Sequence, residues 1–436
     1  MAIQLLDVER VCAHKPEKPT ASLAGIFKLH SLVTLVRLCM KVLAMPFRQK
    51  LFCIELSGRE FHASEKLMVV YIGDKSNYEY ILSSLFSGEP GFCRERKCAW
   101  WSVNRLFKRA RKQADLVVGD IDFPLDLFVR KTGVLVLPRW LKQKVRIADE
   151  WEHVLANLRR KTRREALRSI RKHHLSARVV RDAWSDGAFY HELYKPYIHR
   201  RYGSQATVVD EGRFLRECAT GQLVQVLQDN RVLGAVLVHI AGKQLTIAWV
   251  GIDKGVEGDK LNGVADALDL YSLMYAYTQG CDVMDMGGSR PFINDGVLRY
   301  KKKWGSAASQ GLIPKGSFFY ALQRMTTAME SFLLHNPMII RDGQQLCCVN
   351  WVSGLQSSGV EAGSGVGVSA EEEAEIVRLL NKMYQPGFAG FHSYRLVDGD
   401  QYSEIGGYVD GDKALPYRIT TIPRVNLSGF ILGVTP

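Results

Sequence analysis

Residues 222–253 limit the fold more than any other stretch of the chain. The sequence QLVQVLQDNRVLGAVLVHIAGKQLTIAWVGID holds three runs rich in aliphatic and β-branched residues, and each run predicts a β-strand. The short polar breaks QDNR and AGKQ predict hairpin turns between these strands. We therefore expect three consecutive antiparallel strands near the centre of the chain.

Helices and further strands surround this sheet. Residues 149–182 predict a helical run followed by a strand, and DGAFYHELYKPYIHRRYG predicts an aromatic-rich helix. After the three strands, NGVADALDLYSLMYAYTQG predicts a helix that ends at Gly280, and CDVMDMGG predicts a strand that runs into glycines. The order is therefore helix, antiparallel strands, helix and strand, which is an α/β pattern.

The length of 436 residues allows several domains, each with its own core. Short β-prone runs alternate with helical patterns from about residue 52 to 145, which predicts a small α/β lobe. A Gly/Ser-rich stretch predicts a flexible linker. The expected segments are an N-terminal amphipathic helical segment at 1–50, the lobe at 51–148, a main domain at 149–345, the linker at 353–373 and a small α+β segment at 374–436.

The net charge of +13 indicates an acidic partner such as nucleic acid, an anionic membrane surface or a phosphorylated ligand. The most hydrophobic stretch, residues 22–45, is interrupted by Lys28, Arg37 and Lys41, so it lacks the uncharged length of a bilayer span. Its polar stripe at helical spacing allows a basic amphipathic helix on an anionic membrane. It equally allows a helix packed on the protein's own core.

A second basic feature lies at residues 159–172, where eight of fourteen residues are Lys or Arg. The cluster allows a helix face that binds the phosphates of RNA or of another ligand. It also allows an ordinary solvated helix face. It contains no aromatic residue on which a single-stranded base would stack.

The nine cysteines form no CxxC pair, which argues against a zinc ribbon or a thioredoxin-like site. Cys347 and Cys348 are adjacent, a spacing that does not bridge easily. Reduced thiols in a cytoplasmic protein fit this pattern, and we expect no metal cofactor. The opening MAIQLLDVERVC has no basic n-region, so we expect no signal peptide.

The stretch from about 150 to 310 resembles the GNAT superfamily of N-acyltransferases, and more specifically its FemAB-like branch. The resemblance rests on the order of the segments above and on DGVLRYKKKWG, in which Tyr300-Lys301 precedes Trp304-Gly305. It implies an α/β GNAT fold, which is a mixed, mostly antiparallel sheet flanked by helices, in tandem with a degenerate GNAT-like lobe at 51–148. By the same resemblance, Lys301 neutralises the oxyanion of acyl transfer or binds donor phosphate, and acyl-CoA is the co-substrate. We expect the three lysines at 301–303 to lie on a strand, with Lys302 and Lys303 pointing elsewhere and solvated.

The donor-binding loop departs from the family pattern. GNAT enzymes hold the pyrophosphate with a Q/R-x-x-G-x-G/A loop at a helix start, whereas this chain has GIDKGVEGDKLNGVAD, with different spacing. Glycines and lysines there still allow an anion-binding helix start or a plain surface loop. The residues expected to bind the donor are Gly251, Lys254, Gly255, Gly258, Lys260, Asn262 and Gly263.

The remaining candidates are residues with acid–base, cationic or aromatic side chains near these motifs. The expected catalytic residues are Lys301, Tyr300, Asp285 and His199. Asp285 is open to two interpretations, a base or amine anchor and a turn residue. The expected substrate-binding residues are Tyr197, Arg200, Arg201, Ser289, Arg290, Asp295 and Trp304.

Together with these residues, the resemblance implies an acyltransferase that moves an acyl group from acyl-CoA to an amine of a cell-envelope sugar, lipid or peptide precursor. Its partners would be the acyl donor, the amine acceptor and an anionic membrane surface, with a cytoplasmic location at the inner membrane face. Two alternatives stay open: an aminoacyl-tRNA-dependent FemAB-type peptidyltransferase, and a non-catalytic RNA- or membrane-binding scaffold.

Overall fold

The structure is a computed structural model of the 436-residue chain. It describes residues 51–123, 125–129, 134–181, 187–203, 206, 208–311, 315–353, 370–397, 403–409 and 415–423. The segment 22–45, predicted as an amphipathic helix, and most of the linker predicted at 353–373 lie outside these residues. In the part of the chain that is described, no helix is both long and apolar enough to cross a membrane.

The chain divides into two compact units. Among the described residues, the central unit comprises Lys142–Gly288 and Tyr300–Ala307, and the flanking unit comprises the remainder. The segment boundaries expected from the sequence stay predictions.

The strands in chain order are β1 (Leu51–Arg59), β2 (Lys66–Gly73), β3 (Gly91–Cys98), β4 (Leu116–Ile121), β5 (Leu135–Pro138), β6 (Leu141–Arg146), β7 (Ser176–Arg181), β8 (Gln222–Gln228), β9 (Arg231–Ala241), β10 (Gln244–Ile252), β11 (Val283–Ser289), β12 (Ala307–Ser309), β13 (Ser317–Leu322), β14 (Met338–Asp342), β15 (Gln345–Ser353), β16 (Gly390–Val397), β17 (Ser403–Val409) and β18 (Leu415–Pro423). The α-helices are α1 (Tyr78–Leu85), α2 (Val103–Ala110), α3 (Trp151–Ala156), α4 (Arg160–Lys172), α5 (Lys195–Tyr202), α6 (Glu211–Cys218), α7 (Gly258–Thr278), α8 (Gly296–Lys302), α9 (Thr327–His335) and α10 (Ala370–Met383). A π-helix, Phe189–Tyr194, leads into α5, and short 3-10 helices cover Trp100–Ser102 and Leu125–Phe128.

The three strands predicted at 222–253 are β8, β9 and β10, and they pair antiparallel in sequence order. Asp229 and Asn230 both have positive φ between β8 and β9, which is the backbone that a two-residue hairpin turn requires. Antiparallel β7 extends the sheet on one side and parallel β11 on the other, giving the order β6-β11-β10-β9-β8-β7 in the central unit. The prediction of a mixed, mostly antiparallel sheet is confirmed.

Helix α7 connects β10 to β11 and packs on the sheet. The helix provides the crossover that the parallel strands β10 and β11 need. Its fully buried residues include Val264, Ala267, Leu268 and Leu273. Its predicted end is confirmed: α7 stops at Thr278, and Gly280 takes the left-handed conformation two residues later.

The flanking unit contains two sheets. One has the order β3-β1-β2-β4-β13-β5, in which β13 pairs with both β4 and β5. The α/β lobe predicted at about 52–145 is therefore completed by a strand from far along the chain. The other sheet has the order β14-β15-β16-β18-β17. Helix α10 begins at Ala370, inside the stretch predicted as a linker. Three glutamates in its first turn stabilise the helix, because negative charge is favourable at the positive N-terminal end.

Candidate functional site

The site begins where β10 and β11 separate. The pairing of these parallel strands covers three residue pairs, from Gln244–Val283 to Thr246–Asp285. Strand β10 then continues to Ile252 and β11 to Ser289, and β10 has an irregularity between Ile247 and Trp249. We call the space between Ile247 and the Gly287-Gly288 pair the notch.

Lys301 lies at this notch. Its Nζ donates a hydrogen bond of 2.7 Å to the carbonyl oxygen of Gly288. A Cβ added at Gly287 would lie 3.7 Å from Lys301 Nζ and 3.9 Å from the oxygen of Ile247, so the lack of a side chain at Gly287 leaves open a space that the ammonium and β10 both border. Gly287 has φ of +82°, a conformation that other residues rarely adopt.

The lysine comes from a helix, so the expectation that Lys301, Lys302 and Lys303 belong to a strand is wrong. The carboxylate of Asp295 accepts a bond of 2.8 Å from the Leu298 N–H and so caps α8. A turn from Lys303 to Gly305 follows the helix. Lys303 is not solvated as expected, because this turn directs its Nζ to within 2.7 Å of Asp266 Oδ1.

Asp285 supports the backbone of the notch. Its Oδ1 accepts a bond of 2.8 Å from the Gly287 N–H, and its Oδ2 lies 3.3 Å from Lys142 Nζ. The residue is 3% exposed. Both carboxylate oxygens therefore have partners, and the arrangement fixes the turn at Gly287. A role as base or amine anchor stays a prediction.

Tyr300, the neighbour of Lys301, binds a buried acid on α7. Its hydroxyl donates to Asp269 Oδ2. Burial raises the pKa of Asp269 to about 6, although the Tyr300 hydroxyl acts in the opposite direction. Burial, with Asp269 next, raises the pKa of Tyr300 well above its ordinary value. The tyrosine is therefore a neutral hydrogen-bond donor held in one position.

Helix α5 joins two groups of the expected site residues. The Arg201 guanidinium carbon lies 5.9 Å from the Tyr300 ring centre, and Arg201 Nη1 donates a bond of 2.9 Å to the Tyr197 hydroxyl. The preceding Arg200 donates bonds of 2.9 and 3.2 Å to the carbonyls of Lys254 and Val256. Tyr197, Arg201 and Tyr300 are thus brought together, whereas Arg200 secures the turn before α7. His199 is exposed on the same helix.

The expected donor-binding residues lie in the turn from β10 into α7, and packing accounts for two of them. A Cβ at Gly251 would lie 2.7 Å from the backbone of Leu193 and Tyr194, and one at Gly263 would lie 1.9 Å from Ser169 Oγ. These glycines allow the π-helix and α4 to approach closely.

The other residues of this turn are accessible or bound locally. The Gly255 N–H donates to Asp253 Oδ1, and Lys260 Nζ donates a bond of 2.6 Å to Gln228 Oε1. Gly258 has φ of +55° at the first position of α7, and the exposed residues are Lys254, Gly255, Gly258 and Asn262. A donor-binding role for this turn stays a prediction.

Three expected substrate-binding residues belong to the flanking unit. Arg290 lies 3.7 Å from the Trp140 ring centre and donates a bond of 2.5 Å to Asn77 Oδ1, and Asp295 caps α8. Ser289 is 1% exposed. In the central unit Trp304 has no exposed surface, and its indole ring packs in the core.

Sequence reasoning missed Lys142, Asp266 and Asp269, which contact the expected site residues directly. The two acids were detectable in principle, because they stand three residues apart among the mostly apolar buried residues of α7. Lys142 carries no such signal, since β6 reaches Asp285 only through sheet pairing.

No family model matches the chain, and no curated protein matches it in sequence. Among solved structures, the chain is similar to L-PGS from Bacillus licheniformis, at 12% identity and a TM-score of 0.30, over 59% of this chain and 77% of that one. It is similar to FemX at 14% identity and a TM-score of 0.32, over 62% of this chain and 84% of that one. It is similar to a GCN5-related N-acetyltransferase-like protein from Streptococcus suis at 14% identity and a TM-score of 0.24, over 62% of this chain and 83% of that one. TM-scores of this size do not by themselves establish a common fold.

Proposed function

We propose that the central unit is an N-acyltransferase whose acyl donor binds in the notch between β10 and β11. The observation that carries the proposal is the position of the Lys301 ammonium where these strands separate. The strand edges beyond Thr246 and Asp285 offer backbone groups that an extended donor arm can pair with.

In the proposed reaction an amine nitrogen attacks the thioester carbonyl of acyl-CoA. The C–N bond forms, the C–S bond breaks, and the proton lost by the amine balances the departing thiolate. Negative charge develops on the carbonyl oxygen in the transition state, and Lys301 is placed to stabilise it. An ammonium has three N–H donors, so its bond to Gly288 is compatible with a bond to a ligand oxygen.

The side chains around Lys301 position it rather than react. Asp285 holds Gly287, whose lack of a side chain leaves open the space bordered by the ammonium and β10. Tyr300 is fixed on Asp269 and contacts Arg201, so the end of α8 is held from two sides. The amine acceptor in this proposal is a cell-envelope precursor reached at the inner membrane face.

A second candidate donor, an aminoacyl-tRNA, is favoured by the surface of α4. Of the eight basic residues at 159–172, all but the half-buried Arg163 are exposed. Lys161 and Lys172 pair with Glu165 and Asp259 at 3.8 and 3.7 Å. The exposed arginines on this surface are Arg159, Arg160, Arg164, Arg168 and Arg171. Arginines so placed can bind phosphate oxygens in bidentate fashion.

The test compares Lys301→Ala with the adjacent Lys302→Ala on RNase-treated protein. Thermal unfolding is measured with CoA, acetyl-CoA and a long-chain acyl-CoA, and release of free CoA is measured with a panel of amines. Donor at 100 times its dissociation constant adds about 2.7 kcal/mol of stability, which raises the melting temperature by several degrees. We expect turnover to fall about 100- to 1,000-fold in Lys301→Ala and little in Lys302→Ala.

Equal turnover in the two variants would refute the site. If no CoA compound raises the melting temperature and RNase abolishes activity in a tRNA-supplied reaction, the donor is aminoacyl-tRNA. If neither donor supports turnover, the scaffold alternative replaces both.

A further inference from the structure

Three side chains of different chemistry share one face of the β14-β15-β16-β18-β17 sheet. Cys347 on β15 is paired with Ile340 on β14 and with Gly390 on β16. Asp342 stands two residues after Ile340, and His392 two residues after Gly390. Because side chains alternate between the faces of a sheet, Asp342 and His392 lie on the face that Cys347 occupies.

The three potential ligand atoms are close to one another. The carboxylate oxygen of Asp342, the sulfur of Cys347 and a ring nitrogen of His392 lie within 4.8 Å of one another, and His392 Nε2 is 3.7 Å from Asp342 Oδ2. A tetrahedral zinc ion with bonds of about 2.0–2.3 Å needs ligand separations of about 3.3–3.8 Å. Side-chain adjustments of about 1 Å therefore bring all three atoms into a coordination shell.

We propose that Asp342, Cys347 and His392 bind one zinc ion, with water in the fourth position. Thiolate and imidazole are ligands that zinc prefers, whereas magnesium and calcium take oxygen ligands. Cys347 is 4% exposed and the Asp342 side chain is 39% exposed, so the site opens to solvent on the carboxylate side. Three protein ligands with one accessible position are typical of a zinc that can exchange a water.

Such an ion would link strands that are distant along the chain. Strand β15 ends at Ser353 and β16 begins at Gly390, while β14 and β15 form an antiparallel hairpin. A metal bound by all three strands would hold the parallel pairing of β15 with β16. The ordinary alternative is a His392–Asp342 ion pair beside an inert thiol, and it requires no metal.

Cys348 provides a matched control. It is fully buried like its neighbour, but the two cysteines pack in different core clusters, on opposite faces of the sheet. Cys347→Ser and Cys348→Ser therefore each remove one buried thiol from the same strand, and only the first removes a proposed ligand. His392→Gln and Asp342→Asn change partly exposed ligands and leave the core intact.

The experiment uses the full chain, stripped of metal and titrated with zinc chloride and separately with cobalt chloride. We expect one ion per chain, a thiolate-to-cobalt charge-transfer band in the near ultraviolet, and a zinc-dependent rise in melting temperature of about 5 °C or more. Cys347→Ser should abolish the band and weaken zinc binding more than about 100-fold, since loss of an outer-shell partner alone costs about 10- to 100-fold.

The control and the two other ligand variants complete the design. Cys348→Ser should keep the band and the affinity of the wild type, and His392→Gln and Asp342→Asn should each weaken zinc binding. If Cys347→Ser does not fold, these two variants decide the matter. The proposal is overturned if the wild type binds no stoichiometric zinc, or if Cys348→Ser loses the cobalt band, or if neither His392→Gln nor Asp342→Asn weakens binding.

Discussion

Replacing Asp269 with Asn tests the electrostatics of the acid beneath Tyr300. Asp269 is 7% exposed, and burial raises its pKa from 3.8 to about 6. When folding raises the pKa of an acid, the folded protein is more stable with that acid protonated than with it ionised. Its favourable contribution is therefore complete below about pH 3.8 and is lost as the pH rises to about 6.

The shift sets the size of the effect. A difference of 2.2 between 3.8 and about 6 corresponds to about 3 kcal/mol of unfolding free energy, at 1.36 kcal/mol per pKa unit. Roughly 2 kcal/mol of this falls between pH 4 and pH 7. Asn cannot ionise but still accepts the hydrogen bond from Tyr300, so Asp269→Asn should remove this pH dependence and keep the contact.

The assay is urea unfolding followed by tryptophan fluorescence at several values between pH 4 and pH 7, with wild type and variant in parallel. The wild-type stability minus that of Asp269→Asn should fall by roughly 2 kcal/mol over this range. Tyr300→Phe serves as the control, because loss of the hydroxyl should raise the Asp269 pKa further and extend the window to higher pH. A difference between wild type and Asp269→Asn that does not change with pH would refute the reasoning.

Two further predictions concern packing and charge in the same unit. Gly251→Ala should destabilise the protein by about 1–3 kcal/mol, because the new methyl would lie 2.7 Å from backbone atoms of Leu193 and Tyr194. Gly296→Ala, where an added methyl meets nothing within 4 Å, should stay within about 0.5 kcal/mol in the same denaturation experiment, and equal effects would contradict the packing argument. Lys303→Met should cost about 2–3 kcal/mol, because it leaves the Asp266 carboxylate, at 13% side-chain exposure, without its ammonium. A double-mutant cycle with Asp266→Asn measures the coupling, and additive effects would show that the ion pair contributes nothing.

The sequence alone determined the three antiparallel strands of the central sheet, because local rules govern them. Strands β8, β9 and β10 follow from β-prone runs of the right length and from turn residues that accept positive φ at Asp229 and Asn230. The end of α7 follows equally from Gly280. In both cases the signal lies within a few residues of the feature that it specifies.

The prediction that the three lysines at 301–303 lie on a strand was wrong, because a capping hydrogen bond starts a helix just before them. Residues 296–302 form α8 because Asp295 caps it, and the helical rotation separates Lys301, at the notch, from Lys303, on Asp266. Only the tertiary structure assigned these two lysines to different partners.

The tertiary structure also decided every grouping of distant side chains. Lys142 meets Asp285 through neighbouring strands 143 residues apart in sequence. Asp342, Cys347 and His392 have no metal-binding spacing, and they meet because β14, β15 and β16 are adjacent and expose the same face. Sheet pairing fixes such neighbours through backbone hydrogen bonds, which any residue except proline can make, so the amino-acid sequence near each side chain carries no record of its partner.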